Sequence, residues 1–106
     1  CVTRRQRQMC IRDRIYKVLG NSAATSVMLQ KRMPLMINKN YEPPTASFNI
    51  FLKDVDIIRN FIKNNNIILP TFEGSAKIYD KAEKTLSKNW DTASVYEVLK
   101  MENVNE

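Results

Sequence analysis

Histidine is absent from all 106 residues, and glycine nearly so, with only Gly20 and Gly74. The first absence removes the imidazole base, the Ser–His–Asp triad and the histidine metal ligand. The second removes the dinucleotide fingerprint G-x-G-x-x-G and the phosphate-binding P-loop, each of which needs several glycines within a short span. Cysteine is limited to Cys1 and Cys10, a pair whose spacing makes no zinc site. No apolar run approaches the roughly 20 residues that cross a bilayer, and the first residues lack the charged-then-apolar pattern of a secretory signal. Carboxylates are scattered over polar faces; Asp54 and Asp56 stand beside Lys53 but point in different directions. No constellation in this chain runs a reaction unaided.

The formal net charge of +6 invites a nucleic-acid reading until the charges are located. Residues 1–14, "CVTRRQRQMCIRDR", hold Arg4, Arg5, Arg7, Arg12 and Arg14 against Asp13 alone. The rest of the chain carries twelve basic and ten acidic side chains and no cysteine. Two readings of the basic stretch stand. Its "MCIRDR" resembles the translation of a sequencing adapter, which makes residues 1–14 a non-native tail outside the fold and residues 15–106 the expected domain, a fragment that begins mid-gene. The alternative is a genuine basic arm. A nucleic-acid binder would need that arm to be genuine, and no recognition-helix pattern accompanies it, so neither nucleic acid nor membrane is an expected partner.

What is present is a composition 43% hydrophobic and 26% charged, ordered rather than disordered, and a succession of helical patterns. "IYKVLG" reads as a short apolar turn stopped by Gly20 and Asn21. A second helix follows in "NSAATSVMLQKRMPLMI", with Ser22 or Thr25 as its cap, Val27, Met28, Leu29, Leu35 and Met36 toward one face, and Pro34 kinking or shortening it. "NKNYEPPTAS" is a loop. Ser47 or Thr45 caps a long helix that closes in an asparagine run. A helix over about 71–87 turns Phe72, Ala76, Ile78, Tyr79, Ala82 and Leu86 inward, with Gly74 allowing another helix to come close. Asp91 caps a last helix with Val95, Val98 and Leu99 inside. Tyr16, Tyr41, Tyr79 and Tyr96 read as core or boundary aromatics. No alternating strand pattern and no solenoid repeat occurs. The fold class is all-α, with four or five helices.

The long helix, "FNIFLKDVDIIRNF" onward, carries two apolar stripes. Phe48, Phe51, Leu52, Val55, Ile58 and Ile62 form one, and Ile50, Ile57 and Phe61 form a second nearly opposite. Asn49, Lys53, Asp56, Asn60 and Lys63 make a narrow polar strip between them. A helix so patterned is expected to be gripped from two sides and to touch water along one edge. Asp54, beside the second stripe, reads as a partly buried carboxylate that needs a partner. Taken by itself, Lys53 reads as a solvated lysine rather than a ligand group.

The order of these segments points further. "VLGNSAATSVML", "RMPLM", "YEPPTASFNIFLKDVDII", "LPTFEGSAKIYDKA" and "DTASVYEVL" together resemble the C-terminal helical domain of the β-hydroxyacid dehydrogenases, the group that includes 3-hydroxyisobutyrate, tartronate semialdehyde and L-threonate dehydrogenases. The resemblance covers nearly all of residues 15–102, and its most specific element is Phe-x-x-x-x-Lys-Asp, here Phe48, Lys53 and Asp54. It implies a domain of the 6-phosphogluconate dehydrogenase-like type. It also implies a parent enzyme in which a separate Rossmann domain binds NAD or NADP and the helical domain closes over the nicotinamide end. Lys53 then reaches cofactor and substrate, a charge-assisted contact to a hydroxyacid carboxylate or to the dinucleotide. Phe48 lines the same pocket, Asp54 is a structural partner, and Ser26 matches a frequent serine without an assigned role. The resemblance further implies homo-oligomers and a cytoplasmic setting. The family's catalytic lysine belongs upstream, where this chain has "RRQRQMCIRDR", so the chain as it stands is expected to be inactive, with no catalytic residue of its own.

Overall fold

The computed structural model describes residues 3–103, and Cys1 lies outside them. The chain divides into two compact units, Cys1–Asn40 and Tyr41–Glu106.

The first unit is a helical hairpin. Helix α1, Arg4–Gly20, opens on a capping box: Thr3 Oγ1 accepts from Gln6 N–H at 3.1 Å, and Gln6 Oε1 accepts from Thr3 N–H at 3.1 Å. It closes at Asn21, whose side-chain amide donates to the Lys17 carbonyl at 2.8 Å. The stop expected at Gly20–Asn21 is therefore in place, but the helix behind it is longer than the short turn expected. Arginine, glutamine and methionine are good helix formers, and the box at Thr3 supplies a start. No change of secondary structure marks residue 14.

Helix α2, Val27–Asn38, is capped by Ser26, whose Oγ accepts from Leu29 N–H at 3.0 Å, rather than by Ser22 or Thr25. Both of those spend their hydroxyls within the turn and the helix start, Ser22 on the Leu19 carbonyl at 2.8 Å and Thr25 on the Gln30 amide at 3.1 Å. Pro34 lies inside α2. Having no N–H, it leaves the Gln30 carbonyl one turn earlier without its helical donor. The Tyr16 hydroxyl of α1 donates to that carbonyl at 3.2 Å. Val27 and Met28 are exposed, while Leu29, Leu35 and Met36 are half-buried. Neither helix contains a fully buried residue.

The second unit holds α3 (Phe48–Asn64), α4 (Pro70–Thr85), a 3-10 turn at Thr92–Ser94 and α5 (Val95–Asn103). Phe48, Leu52, Ala82 and Val98 form its core, flanked by Ile78, Tyr79, Leu86 and Val95. The Tyr79 ring packs tilted against Phe48 at 5.7 Å and Phe51 at 4.6 Å, and its burial pushes the phenol pKa up. Helix α4 begins on Pro70, where a missing N–H costs nothing. Arg59 of α3 grips Asp80 of α4 through two bonds of 2.9 and 2.5 Å. That hydrogen bonding lowers the Asp80 pKa and raises that of Arg59. Lys81 of α4 pairs with Glu102 of α5. Gly74 does not serve a close helix approach: a Cβ built there meets no atom within 4 Å. Among the described residues the fold is all-α with five helices, and its one bridge of β type is the isolated Ser47–Asp91 pair.

That pair belongs to a clamp. Asp91 is fully buried. Its Oδ1 accepts from Ala93 N–H at 2.9 Å, which caps the 3-10 turn as expected. Its Oδ2 accepts from Thr45 N–H at 2.9 Å, Thr45 Oγ1 at 2.8 Å and Ala46 N–H at 3.2 Å. Backbone bonds continue the seam: Asp91 N–H to the Tyr41 carbonyl at 2.9 Å, Thr92 N–H to Ala46 at 3.0 Å, and Phe48 N–H to Trp90 at 3.0 Å. Burial opposes the Asp91 charge, but the bonds from Ala93, Thr45 and Ala46 outweigh it and hold the pKa below the usual carboxylate value. Beside the clamp, the buried Tyr41 donates to Glu97 Oε1 at 2.9 Å and lies 5.4 Å from the Trp90 ring.

Candidate functional site

Helix α3 is the element on which the sequence concentrates its candidates. Its buried side is Phe48, Leu52, Val55 and Ile62, a spacing of one, two and four turns that lays them along a single line. Phe48 is only 1% exposed and sits in the core cluster. Its side chain anchors the first turn of α3, so it sets where Lys53 stands instead of offering a surface to a ligand.

Lys53 is exposed on the polar strip with Asn49, Asp56, Asn60 and Lys63, all of them exposed. Among the described residues it enters no ion pair. Asp56, on the same strip, lies 3.9 Å from Arg59 instead. An exposed ammonium without an acidic neighbour holding it is free to meet a carboxylate, a phosphate or an amide oxygen.

The second apolar stripe departs from expectation. Ile50, Ile57 and Phe61 are 65%, 56% and 61% exposed, so α3 is gripped from one side in this chain. Asp54 lies on that open stripe and is exposed. It is not the partly buried carboxylate expected, and it makes no ion pair among the described residues. Water reaches it, which removes the need for a partner. Ser26 serves as the α2 cap.

What sequence reasoning missed is the pairing that holds the start of α3. Ser47 occupies the cap position but makes no side-chain cap bond; Thr45 and Ala46 are clamped by Asp91 instead. The available signal was the cap motif "DTAS", which located one oxygen of Asp91 and gave no hint of the second.

In the first unit an open recess of about 420 Å³ is lined by Asp13, Tyr16, Lys17, Gly20, Asn21 and Gln30. None of the candidate residues lines it. No group of three or more His, Cys, Asp or Glu among the described residues is arranged to hold a metal ion, and no described helix is long and apolar enough to cross a membrane.

Residues 7–99 match the family described as "NAD-binding of NADP-dependent 3-hydroxyisobutyrate dehydrogenase", and the chain belongs to that family. The match begins at residue 7, within the basic stretch. The crystal structure of a 3-hydroxyisobutyrate dehydrogenase from Salmonella typhimurium shares the fold with a TM-score of 0.75, at 21% identity, over 87% of this chain and 34% of that one. The chain thus spans about a third of the length of that protein. No curated protein sequence matches the chain.

Proposed function

We propose that this chain is the helical part of an NAD(P)-dependent oxidoreductase acting on a small β-hydroxyacid of the 3-hydroxyisobutyrate or threonate type, and that Lys53 contacts the dinucleotide or the substrate. The observation that carries the reading is the family match over residues 7–99 joined to an exposed, unpaired Lys53 on α3. The dinucleotide, when bound, accepts or donates a hydride at its nicotinamide. The residues of this chain would bind and orient: Lys53 offers a cation to a carboxylate or phosphate oxygen, Asn49 one turn earlier adds an amide on the same strip, and Phe48 fixes the turn that presents both. The fit is chemical, because an anion needs donors that no other group has claimed. No residue here takes the role of the family's catalytic lysine, and the chain alone performs no hydride transfer. Residues 1–14 are read as a non-native tail from their adapter-like sequence, and the longer enzyme as cytoplasmic from its family.

The test is a titration of the ¹⁵N-labelled chain with NADPH into the millimolar range. Amide shifts are expected at Lys53 and in the first turn of α3, at least threefold smaller in Lys53→Ala. Shifts no larger around Lys53 than around Lys63 would remove the reading.

A second reading, a helical interaction or oligomerisation module, is favoured by Ile50, Ile57 and Phe61, an exposed apolar stripe that invites self-association. It is compatible with the first reading, since such a stripe can serve the homo-oligomer of an enzyme. Sedimentation that stays monomeric from micromolar to millimolar concentration would argue against it.

A further inference from the structure

The value of Lys53 depends on the direction in which α3 presents it, and α3 has no side-chain cap of its own to fix that direction. Three donors just before the helix, Thr45 N–H, Thr45 Oγ1 and Ala46 N–H, converge on the single oxygen Oδ2 of Asp91. The first amide of the helix, Phe48 N–H, is tied to the adjoining Trp90 carbonyl at 3.0 Å. The two oxygens of Asp91 divide the labour: Oδ1 caps the 3-10 turn that leads into α5, and Oδ2 holds the segment that leads into α3.

We propose that Asp91 is a positioning residue for Lys53: its Oδ2 locks residues 45–48 and thereby the first turn and a half of α3, so that Lys53 is displayed in one orientation. This rests on the reading that Lys53 contacts an anionic dinucleotide or substrate. The division of labour makes one substitution selective. In Asp91→Asn the retained amide oxygen can still accept from Ala93, whereas an NH₂ in place of Oδ2 would face the Thr45 and Ala46 N–H groups and accept from neither, keeping at most a reversed bond to the Thr45 hydroxyl. The cap survives and the lock is lost.

The experiment is amide hydrogen exchange on the intact chain, followed by the same NADPH titration. In Asp91→Asn, exchange of residues 45–53 is expected to accelerate about tenfold or more, with residues 95–99 and 58–62 changing less than threefold. The NADPH-induced shift at Lys53 is expected to fall at least threefold. Thr45→Val is expected to reproduce part of both effects and Thr45→Ser, which keeps the hydroxyl, to restore them. Exchange that rises uniformly through α3, α4 and α5, or that is unchanged at residues 45–53, would overturn the lock. Loosened exchange with an unaltered NADPH shift at Lys53 would overturn the positioning role. The failure of the underlying reading looks different: the wild-type chain then shows no Lys53 shift with NADPH, and Lys53→Ala changes nothing.

Discussion

In Cys1–Asn40 the helix ends are closed by groups no more than five residues away: Thr3 with Gln6, Asn21 with Lys17, Ser26 with Leu29, Asn40 with Leu35. In Tyr41–Glu106 the start of α3 is closed by a carboxylate 45 and 46 positions along the chain. The burial follows the same division. Neither α1 nor α2 contains a fully buried residue, whereas α3, α4 and α5 share the cluster of Phe48, Leu52, Ala82 and Val98. The lesson is about where stability resides. The helix ends of the first unit are held by local bonds that each add about 1 kcal/mol, with the Tyr16–Gln30 bond joining its two helices, and the second unit by a core whose truncation costs several times as much.

The largest expected break comes from Phe48→Ala, which empties the centre of that core and should destabilise the second unit by about 3–5 kcal/mol. Trp90, the only tryptophan, lies in this unit and reports its unfolding by fluorescence in urea. Amide protection in α1 and α2 should be lost at a urea concentration of its own, separate from the Trp90 transition. If both vanish together, the two units unfold as one and the comparison fails.

Acid should act on the second unit next. The Asp91 pKa is depressed in the fold, so its contribution is complete above the unfolded value of about 3.9 and drains away as pH falls through the folded one. Trp90-detected stability is therefore expected to drop below about pH 4. Asp91→Asn should start less stable and lose less on acidification. The half-buried Asp80, also depressed by Arg59, leaves a smaller residual dependence. Equal pH sensitivity in the variant and the parent would remove Asp91 from the account.

The smallest effect sharpens the comparison from the other side. Ser26→Ala should cost about 1 kcal/mol at the start of α2, visible as lost amide protection at Leu29 and its neighbours, with the Trp90 transition unmoved.

The same contrast decides what could be read from the sequence. Helix existence and most of the inward line of α3 were legible because they are periodic, although Ile58, which shares that line, is 42% exposed. The stop at Asn21 and the cap at Asp91 were legible because they are local chemistry. The misplaced α2 cap shows the limit of that chemistry: Ser22, Thr25 and Ser26 are equally suitable residues, and only the backbone path selects Ser26. The Oδ2 half of the Asp91 clamp was invisible because nothing in "PPTAS" names a partner so far along the chain. The open stripe of Ile50, Ile57 and Phe61 was read as buried because periodicity reports which residues share a face and is silent on what covers it. Lys53 was picked out by resemblance; its exposure on a polar strip agrees with the pattern around it.

Gly74 is the feature whose meaning shifts most. With open space around it, the residue is a low-propensity position one turn into α4, kept there without a steric reason. A side chain grown from that point meets solvent before it meets protein. Position 74 is therefore the natural attachment point for a fluorophore or spin label, one that would watch α4 without disturbing the face formed by Ala76 and Ala82.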